Sequence, residues 1–245
     1  MLKKLIPQFV IKFYSDFKSR KYLNLSRKET FSTIYKDNVW GGDSGEFVSG
    51  SGTLNANTSI YVKNISEFIE KNNIKTMLDI GCGDFRVGRQ ICKENPALSY
   101  TGADIVDSLI EYNSQQFSSN NIKFRVLDAV DAALPTADLC TIRQVWQHLS
   151  NDEIVKIIPK LSIFKYLIIT EHLPIGDNIS INLDKNHGPD IRLLKKSGVF
   201  IESPPFNMQN AKILFEYRED FRVFGKMQPA VIRTYVIENQ GSTVA

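Results

Sequence analysis

The sequence has few of the features that build secreted, membrane-spanning or metal-held proteins. Its three cysteines, Cys82, Cys92 and Cys140, are odd in number and lack the spacing of a metal site. Unpaired thiols suit a reducing compartment, so the reading is a cytoplasmic protein. No uninterrupted apolar run is long enough to cross a bilayer. Lys3, Lys4, Pro7 and Lys12 break up the first residues, which do not read as a secretory signal. Internal repeats and low-complexity tracts are missing. A basic stripe on the body of the chain is missing too. Residues 1–28 hold eight basic groups against one acid, Asp16, which leaves the remainder at −4 within a total of +3. Nucleic acid is therefore not an expected partner.

What is present is enough for one large folded domain with appendages: 245 residues, 42% of them hydrophobic and 23% charged. Near the start, Leu2, Leu5, Ile6, Phe9, Val10, Phe13, Tyr14 and Phe17 stand at helical spacing with lysines between them. Such a face packs on the domain or on a second subunit as a homodimer contact. The other reading is peripheral attachment of residues 1–28 to an anionic membrane surface. Residues 31–57 are rich in glycine and serine and read as loop, yet they carry Trp40 beside Gly41-Gly42. A loop that closes over a ligand has this composition. Asn57 or Thr58 then opens a helix to about Lys71, with Ile60, Tyr61, Ile65, Phe68 and Ile69 on one face.

From Thr76 the signals alternate between strand and helix. Strands are predicted to end at Asp79, at Asp104 and at Asp128, with two more over Ala137 to Ile142 and Tyr166 to Thr170. Ser150-Asn151-Asp152-Glu153 has the capping-box pattern of a helix start, and Pro159 bends or ends that helix. Residues 173–210 carry only a short helix around Ile191 to Lys196; a connection this long is functional or disordered. Lys212 to Tyr217 and Ala230 to Glu238 pair as an antiparallel hairpin. The expected fold is α/β: a Rossmann-like, doubly wound, seven-stranded sheet, mostly parallel with an antiparallel final strand, plus an N-terminal helical cap. Its division is residues 1–75 for helices and covering loop, and 76–245 for the sheet domain with its insertion at 173–210.

Ligand choice turns on the stretch Thr76 to Arg86. An apolar run stops at Asp79, and Gly81 and Gly83 follow at a spacing of one. A dinucleotide site needs a third glycine where Arg86 stands, and Asp79 would repel a pyrophosphate. A cationic or zwitterionic ligand tolerates that acid. Leu78-Asp79-Ile80-Gly81-Cys82-Gly83-Asp84 resembles the first motif of class I S-adenosylmethionine (SAM)-dependent methyltransferases, and the resemblance extends to about residue 172. It implies SAM as cofactor and S-adenosylhomocysteine (SAH) as product. It places Asp104, with Ile105, on the ribose hydroxyls, Asp128-Ala129 on adenine, and Asp79, Gly81, Gly83, Asp84 and Arg143 at the methionine end. Trp40-Gly41-Gly42, Ser49 to Thr53, Arg143 to Ser150 and Ser197 to Phe206 further resemble a bacterial subgroup of surface-polysaccharide (capsule or O-antigen) pathways, which implies that Trp40, Ser51 and Gly52 cover the cofactor.

Methyl transfer to a hydroxyl gains from a positioned base. His148, just beyond the fourth strand, is the first candidate. Glu171 and His172 at the end of the fifth strand follow, then His187 in the insertion. The polar insertion suits a sugar or sugar nucleotide as the small-molecule acceptor. No metal is expected, because no adjacent acid pair follows the fourth strand.

Overall fold

The computed structural model describes residues 20–53, 57–223 and 226–239. The helix expected over Leu2 to Phe17 lies outside the described residues. The helices are α1 (Arg27–Lys36), α2 (Thr58–Lys71), α3 (Arg86–Glu94), α4 (Asp107–Phe117) and α5 (Asn151–Ile157). The parallel strands are β1 (Thr76–Ile80), β2 (Ser99–Asp104), β3 (Ile122–Val126), β4 (Leu139–Arg143) and β5 (Tyr166–Pro174). Two short strands, β6 (Ser180–Ile181) and β7 (Ser197–Gly198), sit in the insertion. The chain finishes with β8 (Lys212–Arg218), the small hairpin β9 (Phe221–Val223) and β10 (Lys226–Gln228), and β11 (Ala230–Glu238).

The seven-stranded sheet runs β3-β2-β1-β4-β5-β11-β8, with β11 antiparallel to both of its neighbours. Side chains alternate along its strands, and the central strands β1, β4, β5 and β11 are buried on both faces while the edge strands β3 and β8 are largely exposed. Met77, Leu139 and Ile168 enter a core with Tyr61, Val62, Ile65 and Ile69 of α2 and Ile91 of α3. Leu78, Cys140 and Ile169, their chain neighbours, enter the opposite core with Trp146, Ile154 and Ile157, and with Val199, Ile201 and Phe206 from the insertion. The insertion therefore packs on the sheet instead of standing away from it.

Three local readings need correction. Residues 31–36 are not loop but the second half of α1. Ser26 caps that helix: its hydroxyl accepts from the Glu29 N–H at 3.3 Å, while Glu29 Oε2 accepts from the Ser26 N–H at 2.8 Å. The reciprocal pair satisfies orphan donors and buries Thr30, Ile34 and Tyr35. Second, Asp138 does not begin β4. It stands before the strand, where its Oδ2 accepts from Lys75 and Thr76 N–H at 2.9 and 2.8 Å and aligns β1 with β4. Third, β5 continues past Thr170 to Pro174 because β11 pairs with it along its whole length. At Pro159 the α-helix has given way to a 3-10 turn, Ile158–Ile163, as proline in that position demands.

Candidate active site

The C-terminal ends of β1, β2, β3 and β4 open into one cleft of about 1230 Å³ including its mouth. At its centre is the glycine turn after β1. Gly81 and Gly83 hold φ of +72° and +55°. A Cβ on Gly81 would lie 2.3 Å from Val145 Cγ2, and one on Gly83 would lie 2.3 Å from Ser49 Oγ. Glycine is required at both points for conformation and for space. The turn is tied down by Gly81 and Cys82 N–H, which donate to the Ala103 carbonyl at 2.7 and 3.1 Å.

Asp104, at the end of β2, lines the cleft and accepts from Gly83 and Val106 N–H, each at 3.2 Å. Burial pushes its carboxyl up to about 6, and these N–H donors only partly oppose the shift. Asp79 also lines the cleft, but its oxygens are engaged: Tyr100 Oη donates to one and Thr141 Oγ1 to the other, both at 2.7 Å. Burial raises its carboxyl as well. Asp84 fixes the loop that carries Ser49. Its Oδ2 accepts from Ser49 N–H at 2.9 Å, and its own N–H donates to Ser49 Oγ at 2.8 Å.

Arg143, at the end of β4, donates from Nη2 to the Gly52 carbonyl at 2.8 Å and lies 5.0 Å from the Tyr61 ring centroid. Its Nε is buried without a hydrogen-bond partner. Gln144 follows with φ of +56°, an uncommon backbone state for a residue with a side chain, beside Gly52. At the far end, Ile105, Leu127, Ala129 and Val130 form an apolar wall. Asp128 stands there, bound to Arg27 Nη2 at 2.8 Å; Arg27 also reaches Asp131 and, at 3.3 Å, Glu153.

Trp40 and His148 form the opposite wall, with ring centroids 5.0 Å apart. Trp40 Nε1 donates to the Pro189 carbonyl at 3.3 Å. His148 Nδ1 donates to the Gly188 carbonyl at 3.2 Å, so that nitrogen carries the proton, and the Nε2 lone pair accepts from Gln147 Nε2 at 3.4 Å. Burial, reinforced by Lys185, lowers the imidazole to about 3 and keeps it neutral.

Of the residues singled out in the sequence, Trp40, Asp79, Gly81, Gly83, Asp84, Asp104, Ile105, Asp128, Ala129, Arg143 and His148 meet in this cleft. Ser51 and Gly52 do not line it; Ser51 is exposed, and the Gly52 carbonyl accepts from Arg143. Glu171 is wholly buried and accepts from Trp146 and Gln147 N–H at 3.0 and 3.2 Å, next to His148 but not on the cleft wall. His172 points to the Glu219 carbonyl at 2.6 Å. His187 joins Glu153 at 2.8 Å and the Leu25 carbonyl at 3.1 Å, and lines a different cavity. Arg27, Phe31, Tyr35, Ser49, Thr53, Tyr61 and Gln144 also line the cleft. For the first three a signal existed, the capping pair Ser26 and Glu29, which sets α1 and its inward face. Ser49 and Thr53 fall in the segment singled out by resemblance, and Tyr61 had only its place on the apolar face of a predicted helix.

Residues 78–162 match the family described as a methyltransferase domain. No curated protein matches the chain. Solved structures with similar folds include the N-methyltransferase NodS from Bradyrhizobium japonicum WM9 with SAH, at 10% identity over 86% of this chain and 99% of that one, TM-score 0.58. PigF with SAH aligns at 13% identity over 96% and 70% of the two chains, TM-score 0.54. Human N-acetylserotonin methyltransferase with SAM aligns at 13% identity and a TM-score of 0.49, over 87% of this chain. The present chain spans 61% of the length of that protein. The chain has a Rossmann-like methyltransferase fold, and its glycine turn, Asp104 and Asp128 fall inside the segment similar to the methyltransferase domain.

Proposed function

We propose that the chain is a SAM-dependent methyltransferase that O-methylates a small polar acceptor. The supporting observation is convergence in one cleft of the glycine turn, the Asp104 carboxylate and the Arg143 side chain. Each suits one part of the cofactor. Asp104 accepts two O–H bonds from the ribose diol. Arg143 Nε donates to the methionine carboxylate. Ile105, Leu127, Ala129 and Val130 enclose adenine, and Arg27 holds Asp128 toward the adenine amino group. Trp40 covers the site, with Ser51 and Gly52 supporting the covering loop. When bound, SAM supplies an electrophilic methyl group on a sulfonium centre.

His148 takes the acceptor proton. Its low basicity makes it a poor base for a resting hydroxyl, but the acceptor oxygen becomes far more acidic as the new bond forms. Glu171 anchors the turn that carries His148, while His172 and His187 act at a distance from the cleft. The acceptor in this proposal is a saccharide or nucleotide-linked sugar of bacterial surface-polysaccharide biosynthesis, in keeping with the resemblance of the loop around Trp40; the insertion expected to line the acceptor pocket meets the cleft residues through the Gly188 and Pro189 carbonyls instead. The weak basicity of His148 also suits a second reading, a neutral amine acceptor that needs no early deprotonation.

The test is SAH release from SAM in the presence of sugars, sugar nucleotides and amines. The expected result is turnover on a hydroxyl acceptor. His148→Ala should then lose about a hundredfold in turnover with little change in SAH affinity. Full turnover by that variant removes the proposed role of His148. Turnover on amines alone selects the second reading, and SAM binding without turnover on any acceptor overturns the enzyme assignment.

A further inference from the structure

The strands on either side of β1 both reach across to the oxygens of Asp79. Thr141, its register partner on β4, donates to Oδ1, and Tyr100 of β2 donates to Oδ2, each at 2.7 Å. Both donors lie inside the sheet: Tyr100 is 1% exposed and Thr141 is wholly buried. Phenylalanine and valine would fill these places with no hydroxyl to take out of water, so the core itself has no need of either polar group. Helix α3 makes room for one of them. A Cβ on Gly88 would lie 2.5 Å from Tyr100 Oη and 2.8 Å from the Phe85 ring. Glycine is disfavoured inside a helix, and here its absent side chain lets the Tyr100 hydroxyl reach Asp79.

The clamped carboxylate keeps an open side. Asp79 is only partly buried and lines the cleft, and a carboxylate that takes two donors can accept more. Arg143 lines the same cleft from the end of the neighbouring strand. Burial raises the Asp79 carboxyl, while the two hydroxyls and then the Arg143 charge oppose that shift. Yet acid and base form no ion pair among the described residues, since Arg143 Nη2 is turned to the Gly52 carbonyl. An acid and a base that share one cleft without pairing are complementary to a zwitterion. The amino-acid end of SAM is one, with its carboxylate for Arg143 and its ammonium for Asp79.

We propose that Tyr100 and Thr141 are positioning residues for the amino-acid end of the cofactor: they fix the Asp79 carboxylate so that its remaining lone pairs meet the ligand ammonium. The proposal rests on the methyltransferase reading of the cleft. Neither residue lines the cleft, so each acts through Asp79. The test is calorimetry on the full chain with two ligands, SAH and 5′-methylthioadenosine, which keeps the adenosine and the sulfur and lacks the amino-acid part. Tyr100→Phe and Thr141→Val should each weaken SAH binding about tenfold and leave 5′-methylthioadenosine within about twofold of wild type. Thr141→Ser, which keeps the hydroxyl, should restore SAH affinity. Variants that lose affinity for both ligands alike would show that the hydroxyls only support the fold, and this overturns the proposal. Unchanged SAH affinity in Tyr100→Phe and Thr141→Val overturns it too, while leaving the methyltransferase reading in place. A wild-type chain that binds neither ligand refutes that reading and the proposal with it.

Discussion

Asp104→Ala is expected to weaken SAH binding by a hundredfold or more, since in the proposed binding mode the carboxylate accepts two charge-assisted bonds from the ribose diol, together worth about 3 kcal/mol. The same residue predicts a pH dependence whose sign follows from its environment. Burial raises Asp104 to about 6 without ligand, and the diol donates to the ionised form. Affinity should therefore be full above pH 6 and fall as pH drops through it, because protonation competes with the ligand. The alanine variant should lack that dependence. A raised carboxyl also opposes folding above its folded pKa, so the substitution should not lower stability at neutral pH by the amount it lowers affinity. Equal SAH affinity in wild type and variant would remove Asp104 from the site.

Arg27→Met should cost about 2 to 4 kcal/mol of stability, read as a shifted denaturant midpoint, and should also weaken SAH binding. Arg27 joins α1 to Asp128 and Asp131 after β3 and to Glu153 of α5. Without it three acids remain close together, and the helix that brings Phe31 and Tyr35 to the cleft loses its main anchor. Burial alone would raise Glu153, but hydrogen bonds from His187, Ser150 and Arg27 bring it down to about 2. A carboxyl below its unfolded value contributes stability above about pH 4.5 that is lost as pH falls toward 2. Part of that acid-sensitive stability should disappear in Arg27→Met. A variant as stable as wild type, with unchanged SAH affinity, would show that the network is incidental.

The sheet was legible because its central strands are buried on both faces: apolar runs separated by glycine, proline and capping signals leave few other arrangements. The glycine turn and Asp104 were legible for a related reason, since a turn with positive φ and an acid at a strand end leave marks on single residues. The covering segment was harder. Glycine and serine after Trp40 hid the helix before it, although Ser26 and Glu29 marked its start. Contacts between distant residues left no mark. Arg27 reads as one more base in a basic N-terminal stretch, but in the fold its charge is spent on Asp128, Asp131 and Glu153. His187 similarly looks like a site histidine and instead bridges α5 to the Leu25 carbonyl. Residue type alone did not separate Glu171 and His172, beside the cleft, from His148, on its wall.

The central claim is that the strand-end cleft is a SAM site, and calorimetric titration of the full chain with SAH tests it most directly. The account predicts one site per chain with micromolar or tighter affinity, weakening below pH 6, and no competition from NADH. Absence of binding by SAH, or tight binding by a dinucleotide that displaces it, would contradict the claim.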